Sequence, residues 1–446
     1  MRVFHVITRL IVGGAQENTI ASVLGLRTRH GVDARLLSGP TSGPEGSLAS
    51  QVQPPDLLTI VPHLHRAVHP FRDFRAYREL LAIFRQDPPD IVHTHSAKAG
   101  YLGRLATDRV HVPIVIHTLH GPSFGSFQGP LSNMAFRFAE LNASRWTHHF
   151  VSVADALTQQ YLAAGIGRPE QFTTIRSGFV LEPFLHAPND LALRRQLGLV
   201  PDDFVVGKIA RLFRLKGHDD AFAVAPDLVR AYPNLRFLFV GDGEWRGRFE
   251  QMARDLGLEK HFIFTGLVPP AEVPRYVGIM DALIHLSIRE GLARALPQAL
   301  AAGKPVVTYD CDGAREVCLD GQTGFLISPG DRATLARRIG ELAKQPALRQ
   351  RLGAAGRELV RHQFSVEQMV DELHDLYVRL ASRQKSEVRN PKSERNPKSK
   401  IQNHLPPATG FRFSDFGFPS DFGLRTSDLT PPLLPCASPP TTFPPR

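Results

Sequence analysis

The stretch that decides the fold of this chain is Asp281–Asp312, DALIHLSIREGLARALPQALAAGKPVVTYDCD. An apolar run at Ala282–Leu286 predicts a buried strand, and the pattern Leu292–Ala302, ended by Gly303, predicts a helix. A second apolar run at Pro305–Tyr309 predicts another strand. A strand, a loop, a helix and a strand in this order predict one unit of a parallel α/β sheet.

The chemistry of this unit lies in its loop. A helix that begins directly after Gly291 would present unpaired backbone N–H groups at Leu292 and Ala293, and such groups suit the phosphates of a nucleotide. The carboxylate of Glu290 could accept hydrogen bonds from sugar hydroxyls, and Gln298, two turns into the helix, offers both a donor and an acceptor. The alternative is an ordinary packing unit with no ligand.

Composition limits the classes of protein and partner. The chain has 446 residues and a formal net charge of +10, but ten basic and five acidic residues lie after Ala381. The rest is only modestly basic, which favours phosphate ligands or an anionic membrane surface over nucleic acid. Three cysteines without a CxxC pair predict a reducing cytoplasm. No apolar window reaches the length of about 20 residues that a membrane span needs.

Apolar runs alternate with helical patterns along the first part of the chain, which predicts a doubly wound parallel sheet. These runs are Val3–Ile7, Ala34–Leu37, Leu57–Val61, Ile91–His95, Ile114–Thr118, Phe150–Val153 and Thr173–Ile175. A second series, with runs at Val205–Ala210, Leu235–Val240 and Phe262–Phe264, leads into the opening stretch. We therefore expect two α/β halves.

Polar residues follow several of the predicted strands of the first half, at the edge where such sheets bind ligands. His95 ends one strand, with Lys98 and Gly100 just after it, and His120 follows the next strand. His93 and His95 share a strand face and could ligate a metal, but no carboxylate or cysteine accompanies them at a familiar spacing. We therefore predict no metal.

Two glycine-containing turns and one basic pair complete the motifs. Gly13 and Gly14 follow the first strand, where a backbone without side chains can approach a ligand closely. Arg211 and Lys216 follow the first strand of the second half, where they could neutralise a diphosphate as it leaves. The alternative for that pair is surface salt bridging. The turn Val240–Trp245 lacks the third glycine of a dinucleotide fingerprint.

Together these motifs resemble glycosyltransferase family 4 over about residues 1–380. Glu290 matches the first Glu of that family's signature, and Gln298 stands where a second Glu is usual. Further matches are the GGAQ loop with Gly13 and Gly14, the run HTHSAKAGYLGR, the Arg-x4-Lys pair and the TGLVP loop that contains Gly266 and Val268.

The resemblance implies the GT-B fold, in which two Rossmann-like domains face each other across a cleft. It implies domains at residues 1–178 and 179–362, with a helix at 363–381 that returns to the first domain. It also implies a retaining, metal-independent transfer from a nucleotide-diphosphate sugar, chiefly UDP-linked, to a glycan or a lipid-linked acceptor at the cytoplasmic face of the membrane.

The resemblance also implies roles for single residues. His120 would face the donor sugar and the acceptor, Glu290 would orient the donor sugar, and Arg211 and Lys216 would hold the diphosphate. The backbone of Gly266 and Val268 would hold the base. The resemblance places Lys98 and Gly100 in the cleft, with His95 beside them.

Three other functions stay open: a nucleotide-sugar epimerase of the same fold, a dinucleotide-binding oxidoreductase, and a sugar-binding module that has lost catalysis at Gln298. The basic amphipathic helix predicted at Phe71–Arg85 and the loop residues Phe124 and Phe127 suggest peripheral membrane contact, against the alternative of core packing. Short repeats and a proline-rich end predict a disordered tail at residues 382–446.

Overall fold

The computed structural model describes residues 1–43, 45–125 and 127–389, and it contains two parallel sheets. The first has the order β3-β2-β1-β4-β5-β6-β7. Its strands are β1 (Arg2–Ile7), β2 (Asp33–Ser38), β3 (Leu58–Ile60), β4 (Ile91–His95), β5 (Ile114–Leu119), β6 (His149–Ser152) and β7 (Phe172–Thr174). The predicted runs of the first half all correspond to these strands within two residues at either end.

Helices cover both faces of the first sheet, and its strands are therefore buried on both sides. They are α1 (Gly14–His30), α2 (Pro70–Gln86), α3 (Ala97–Val110), α4 (Pro130–Ser144) and α5 (Asp155–Ala163). The side chains on one face of the sheet pack against α1. The side chains on the opposite face pack against α2 and α3. The predicted amphipathic helix at Phe71–Arg85 is α2.

The second sheet has the order β10-β9-β8-β11-β12-β13. Its strands are β8 (Phe204–Ile209), β9 (Leu235–Val240), β10 (Phe262–Phe264), β11 (Ala282–His285), β12 (Val306–Tyr309) and β13 (Gly324–Ile327). Its helices are α6 (Glu182–Leu185), α7 (Leu191–Gln196), α8 (His218–Ala231), α9 (Arg246–Asp255), α10 (Val273–Gly278), α11 (Ala295–Ala301), α12 (Arg332–Lys344) and α13 (Pro346–Val360). The prediction of two doubly wound parallel halves is confirmed, although β13 was not predicted.

The last helix, α14 (Val366–Arg389), packs against α1 of the first half and completes its core with Leu373, Leu376 and Tyr377. It extends eight residues beyond the predicted end at Ala381, so the prediction of disorder was wrong for residues 382–389. The remainder of the predicted disordered tail, from residue 390, lies outside the described residues, and the domain boundary at 178 stays a prediction.

The chain passes between the two halves twice, and the two passages lie side by side. The N–H of Phe179 donates to the carbonyl of Phe364 at 2.9 Å, and Phe179 pairs with Ser365 as an isolated bridge. A Cβ added to Gly178 would lie 2.5 Å from the carbonyl oxygen of Ser365, so only glycine fits there. Among the described residues, no helix combines the length and the apolar character that crossing a membrane requires.

Candidate active site

A cavity of about 560 Å³ lies between the two sheets, at the carboxyl ends of their strands. Both halves line it, as expected for ligand sites in α/β sheets. The predicted site residues that line it are Gly13, Gly14, His120, Arg211, Lys216, Val268, Glu290, Leu292, Ala293 and Gln298. A volume of this size lies within the usual range of small-molecule sites.

The predicted residues of the β4 segment do not line the cavity. His95 is fully buried behind His120, whose Nε2 lies 3.0 Å from its Nδ1. Lys98 instead bonds the carboxylate of Asp73 at 2.7 Å, and burial lowers the pKa of this lysine. A Cβ added to Gly100 would lie 2.5 Å from the ring of His117, so this glycine serves close packing. The placement of Lys98 and Gly100 in the cleft was therefore wrong.

Two predicted glycines also lie outside the cavity wall. Gly266 accepts a hydrogen bond from the N–H of Gly241 at 3.1 Å and has a φ of +74°, which glycine adopts readily. A Cβ added to Gly291 would lie 2.5 Å from the carbonyl oxygen of His120. Gly291 therefore allows the loop of the second half to touch the first half directly.

The helix predicted to begin at Leu292 begins three residues later. α11 contains seven residues, from Ala295 to Ala301, and Leu292 and Ala293 lie in the irregular link before it. Tertiary hydrogen bonds hold this link open: the N–H of Gly313 donates to the carbonyl of Gly291 at 2.9 Å, and the N–H of Glu290 donates to the carboxylate of Asp312 at 2.7 Å. The predicted helix N-terminus at Leu292 is therefore wrong.

Lys216 and Glu290 form an ion pair in the cavity wall. Burial alone would raise the pKa of Glu290, but the ammonium of Lys216 outweighs burial and lowers this pKa to about 2. The ring of His285 lies 3.8 Å from the same carboxylate, and burial lowers its pKa to about 3. Glu290 is therefore an anion, and it lies beside the cation of Lys216.

Arg211 has a partner that the sequence did not indicate. Its guanidinium bonds Glu45 of the first half, and Glu45 also bonds Arg9 at 2.9 Å. Burial raises the pKa of Glu45, but the two guanidinium groups outweigh burial and hold this pKa below its usual value. The carboxylate of Glu45 is therefore ionised and is the anionic partner of Arg211.

Two more contacts connect the halves beside the cavity, and neither was predicted. Arg294 bonds Glu17 of α1 at 2.8 Å. The guanidinium of Arg289 donates to the carbonyl of Pro122 at 2.9 Å and lies 4.2 Å from the ring centre of Phe127. Arg289 and Arg294 flank Glu290 in sequence, so the same loop carries a predicted site residue and the contacts between the halves.

Comparison with known proteins agrees with this geometry. Residues 13–178 match the model of the glycosyl transferase 4-like domain, and residues 189–359 match that of glycosyl transferases group 1. The chain is 31% identical over 314 residues to the putative glycosyltransferase EpsD of Bacillus subtilis, covering 69% of this chain and 81% of EpsD.

A second relative is an Escherichia coli enzyme named UDP-Gal:alpha-D-GlcNAc-diphosphoundecaprenol alpha-1,3-galactosyltransferase. It is 26% identical over 71% of this chain and 82% of that enzyme. Among solved structures, HepE of Anabaena in complex with UDP and glucose superposes with a TM-score of 0.72 over 85% of this chain and 99% of HepE, at 23% identity. The GT-B fold that the sequence resemblance implied is confirmed.

Proposed function

Because this chain belongs to glycosyltransferase family 4 and has the GT-B fold, we propose that it is a retaining transferase. In this proposal it moves a sugar from a nucleotide-diphosphate sugar, chiefly UDP-linked, to a hydroxyl of a glycan or a lipid-linked acceptor. The observation that carries the proposal is the cavity between the halves, with Arg211 and Lys216 on one side and His120 on the other.

The diphosphate would be held by Arg211 and Lys216. Both residues have carboxylate partners in the protein, Glu45 and Glu290 respectively. A diphosphate carries more negative charge than one carboxylate, so it would replace Glu45 at Arg211 and share Lys216 with Glu290. As the bond to the sugar breaks, the charge that develops on the leaving phosphate is stabilised by these cations. We therefore expect no metal requirement.

The donor sugar would lie between Glu290 and His120. Glu290 is ionised at neutral pH because its pKa is about 2, so it accepts hydrogen bonds from sugar hydroxyls. The acceptor hydroxyl would attack from the face that the diphosphate leaves, which keeps the configuration of the sugar. Gln298 lines the cavity and would bond the nucleotide ribose through its amide. The UDP complex of HepE and the name of the E. coli relative support UDP as the nucleotide.

Two measurements on the purified full chain test the proposal. UDP-, GDP- and ADP-sugars are first compared by thermal shift, and we expect a UDP-sugar to raise Tm most. The best donor is then incubated with and without candidate acceptors, with and without EDTA. Acceptor-dependent, EDTA-resistant release of the nucleotide, with an unchanged anomeric configuration by NMR, is expected.

The alternatives give different results in the same assay. Release of free sugar from UDP-GlcNAc without an acceptor would support an epimerase. A rise in Tm without any nucleotide release, across the acceptor panel, would support a sugar-binding module. Inversion at the anomeric carbon would contradict the retaining mechanism while leaving the transfer itself intact.

We also propose peripheral membrane contact through the first half. The sequence pattern predicts one apolar stripe on α2 with Phe71, Phe74, Leu81 and Phe84. The structure corrects this: Leu81 and Phe84 are core, whereas Phe71 is 63% exposed on the basic face of the helix. That face presents four exposed arginines, Arg72, Arg75, Arg78 and Arg85. Phe124 is 5% exposed and therefore belongs to the core, contrary to prediction.

Exposed apolar side chains on α4 support the proposed membrane contact. On α4, Leu131, Met134 and Phe138 are 72%, 64% and 70% exposed, and their spacing places them on one face of the helix. α3 contacts both α2 and α4, so the three helices cover the same side of the sheet. Anionic lipid attracts each nearby arginine by about 1 kcal/mol, and the apolar side chains could enter the headgroup region.

Sedimentation with phosphatidylcholine vesicles, with and without phosphatidylglycerol, tests this contact. We expect binding only to anionic vesicles and its loss at high salt. Arg75→Glu should weaken binding, whereas Arg337→Glu, which changes an exposed arginine on α12, is the matched control. Absence of binding at low salt would favour a soluble acceptor.

A further inference from the structure

A chain of hydrogen bonds leads from His120 into the core of the first half. His120 Nε2 lies 3.0 Å from His95 Nδ1, and His95 Nε2 lies 3.0 Å from His5 Nδ1. His5 Nε2 lies 3.3 Å from the hydroxyl of Tyr377 on α14. His5 and His95 are on the adjacent strands β1 and β4, and both rings are fully buried.

The chain continues beyond Tyr377 and returns to the cavity. The Tyr377 hydroxyl lies 2.5 Å from His93 Nδ1, and His93 Nε2 lies 2.6 Å from the hydroxyl of Thr118. Thr118 and His120, at the two ends of this chain, both line the cavity. We call these six residues the histidine chain: His120, His95, His5, Tyr377, His93 and Thr118.

Each ring in the chain carries one proton at neutral pH. Burial lowers the pKa of His120 to about 4 and of His5 to about 3, and it lowers those of His93 and His95 well below the ordinary value. A neutral imidazole donates from one nitrogen and accepts at the other, and a tyrosine hydroxyl has a single proton to donate. The bonds that join His5, His95 and His120 must therefore all run in the same direction, and this direction depends on whether the Tyr377 hydroxyl donates to His5 or accepts from it.

This coupling fixes the chemistry of the nitrogen of His120 that faces away from the chain. If His95 donates to His120 Nε2, the proton of His120 is on Nδ1, which then acts as a donor. If the direction is reversed, Nδ1 has no proton and acts as an acceptor. No protein group in the described part of the chain bonds this Nδ1, so it is available to a ligand in the cavity.

We propose that His95, His5 and Tyr377 are positioning residues that select one tautomer of His120, so that its Nδ1 presents the correct hydrogen-bonding group to the donor sugar or the acceptor hydroxyl. The inference rests on the proposed transferase function for its kinetic consequence. Its structural content, the dependence of His120 on Tyr377, is independent of activity. The chain also makes the cavity sensitive to α14, which carries Tyr377.

The test is Tyr377→Phe, which removes the hydroxyl that both His5 and His93 require. Long-range ¹H–¹⁵N spectra of histidine-labelled protein report the tautomer of each ring, and the His120 signals are identified by their loss in His120→Gln. In the wild type we expect one tautomer of His120. In Tyr377→Phe we expect a second tautomer or a mixture, although the change lies three hydrogen bonds away.

The kinetic expectation is a split between kcat and KM. Removing a group that orients a metal-bound histidine usually costs roughly 10- to 100-fold in activity. We expect a loss of the same order for His120, so kcat should fall by that factor while the donor KM changes less than about threefold. The matched control is Tyr309→Phe, which changes a tyrosine of similarly low exposure and removes a hydroxyl that bonds Asp220 at 2.6 Å in the second half. The control should leave both the His120 spectrum and kcat unchanged.

A second variant, His5→Phe, keeps the test decisive if Tyr377→Phe fails to fold. His5→Phe keeps a ring of similar size and interrupts the chain between Tyr377 and His95, so it should reproduce the spectral change at His120. An unchanged His120 spectrum in both variants would overturn the proposal. The ring nitrogens of His5, His93 and His95 lie within 4.8 Å of one another, and one equivalent of zinc in the purified protein, lost in His5→Phe, would also overturn it. Spectral changes without transferase activity would retain the coupling and reject only the proposed function.

Discussion

At the scale of single residues, the cavity contains cations whose partners are carboxylates of the same protein. Lys216 with Glu290 and Arg211 with Glu45 are the main pairs. In both pairs a carboxylate of the protein balances the charge of the cation. In the proposed function, the cations that would bind a donor phosphate are therefore already in place, and the free energy of donor binding would include the cost of separating Arg211 from Glu45.

Lys216→Ala should lower kcat by roughly 100-fold or more, because one cation that stabilises the leaving diphosphate is lost. Steady-state kinetics measure this, and Lys260→Ala, which changes an exposed lysine of the second half, is the control. The variant also leaves Glu290 without its ammonium partner, so the pKa of Glu290 should rise. Activity within a factor of about two of wild type would reject the role of Lys216.

Glu45→Gln should strengthen donor binding by a few-fold, because the neutral amide no longer competes with the diphosphate for Arg211. Isothermal titration with UDP measures this change. The control is Glu79→Gln, which changes a glutamate that pairs with His63. Weaker binding of UDP would instead mean that Glu45 holds Arg211 in the orientation the ligand needs.

A site residue could be placed from the sequence when its local motif was informative. It could not be placed when its position depends on a partner far away in the sequence. Arg211, Lys216 and Glu290 follow predicted strands in recognisable motifs, so the sequence placed them at the strand ends where the cavity lies. Glu45 gave no local signal because its two partners, Arg9 and Arg211, are both distant in sequence and Arg211 is in the other half. Lys98 was misplaced because proximity to a strand end does not reveal the neighbouring Asp73, which bonds its ammonium group.

At the scale of elements, the contact of α1 with α14 depends on one glycine. A Cβ added to Gly25 would lie 2.5 Å from Cγ2 of Val370. Gly25→Ala should therefore destabilise the fold by about 1–3 kcal/mol, the usual cost of overpacking a core. Denaturant unfolding measures this free energy.

Val370→Ala supplies the internal check on this prediction. It removes the methyl groups that meet the new Cβ, so the double variant should lose less stability than the sum of the two single variants, by about 1 kcal/mol or more. Gly247→Ala on α9 is the control because no atom lies within 4 Å of its added Cβ, and it should be neutral or stabilising. Additive effects of Gly25→Ala and Val370→Ala would contradict the contact.

The elements themselves were largely predictable because a parallel sheet buries its strands and leaves unambiguous apolar runs. The start of α11 was not predictable in this way. The periodicity at Leu292 and Ala293 favours a helix, but two hydrogen bonds override it, from the N–H of Gly313 to Gly291 and from the N–H of Glu290 to Asp312. Local propensity is weak beside tertiary contacts of this kind.

At the scale of the whole molecule, buried neutral histidines should make the fold sensitive to acid. Burial lowers the pKa of His149 to about 4, of His285 to about 3 and of His218 to about 2, in addition to the histidine chain. In the unfolded chain these rings have a pKa near 6.5, so they bind protons at a higher pH than they do in the folded protein. Their contribution to stability is therefore complete above pH 6.5 and is lost as pH falls from 6.5 to the pKa of each ring in the folded state, about 4 for His149, about 3 for His285 and about 2 for His218.

Each such ring costs up to about 1.4 kcal/mol for each pH unit below 6.5. A domain is usually stable by only about 5–15 kcal/mol, so several rings together should unfold the protein near pH 5. Thermal melts between pH 8 and pH 4.5 measure this, and we expect a level Tm above pH 7 and a steep fall below pH 6. Glu290, with a pKa of about 2, should contribute to the loss only below pH 4.5. A level Tm down to pH 4.5 would show that the rings become accessible to protons without unfolding.

The packing of α14 on the first half has a consequence for synthesis on the ribosome. The first half is translated before the second, yet the helix that supplies Leu373, Leu376 and Tyr377 to its core is translated after it. At about 5–20 residues per second, the emerging first half waits on the order of tens of seconds for this helix. During that interval the surface of α1 that α14 covers is exposed to chaperones, and His5 and His93 lack the hydroxyl they share. A ribosome that stalls before codon 377 would therefore leave a chain that has the cavity-lining loops of both halves but no assembled histidine chain.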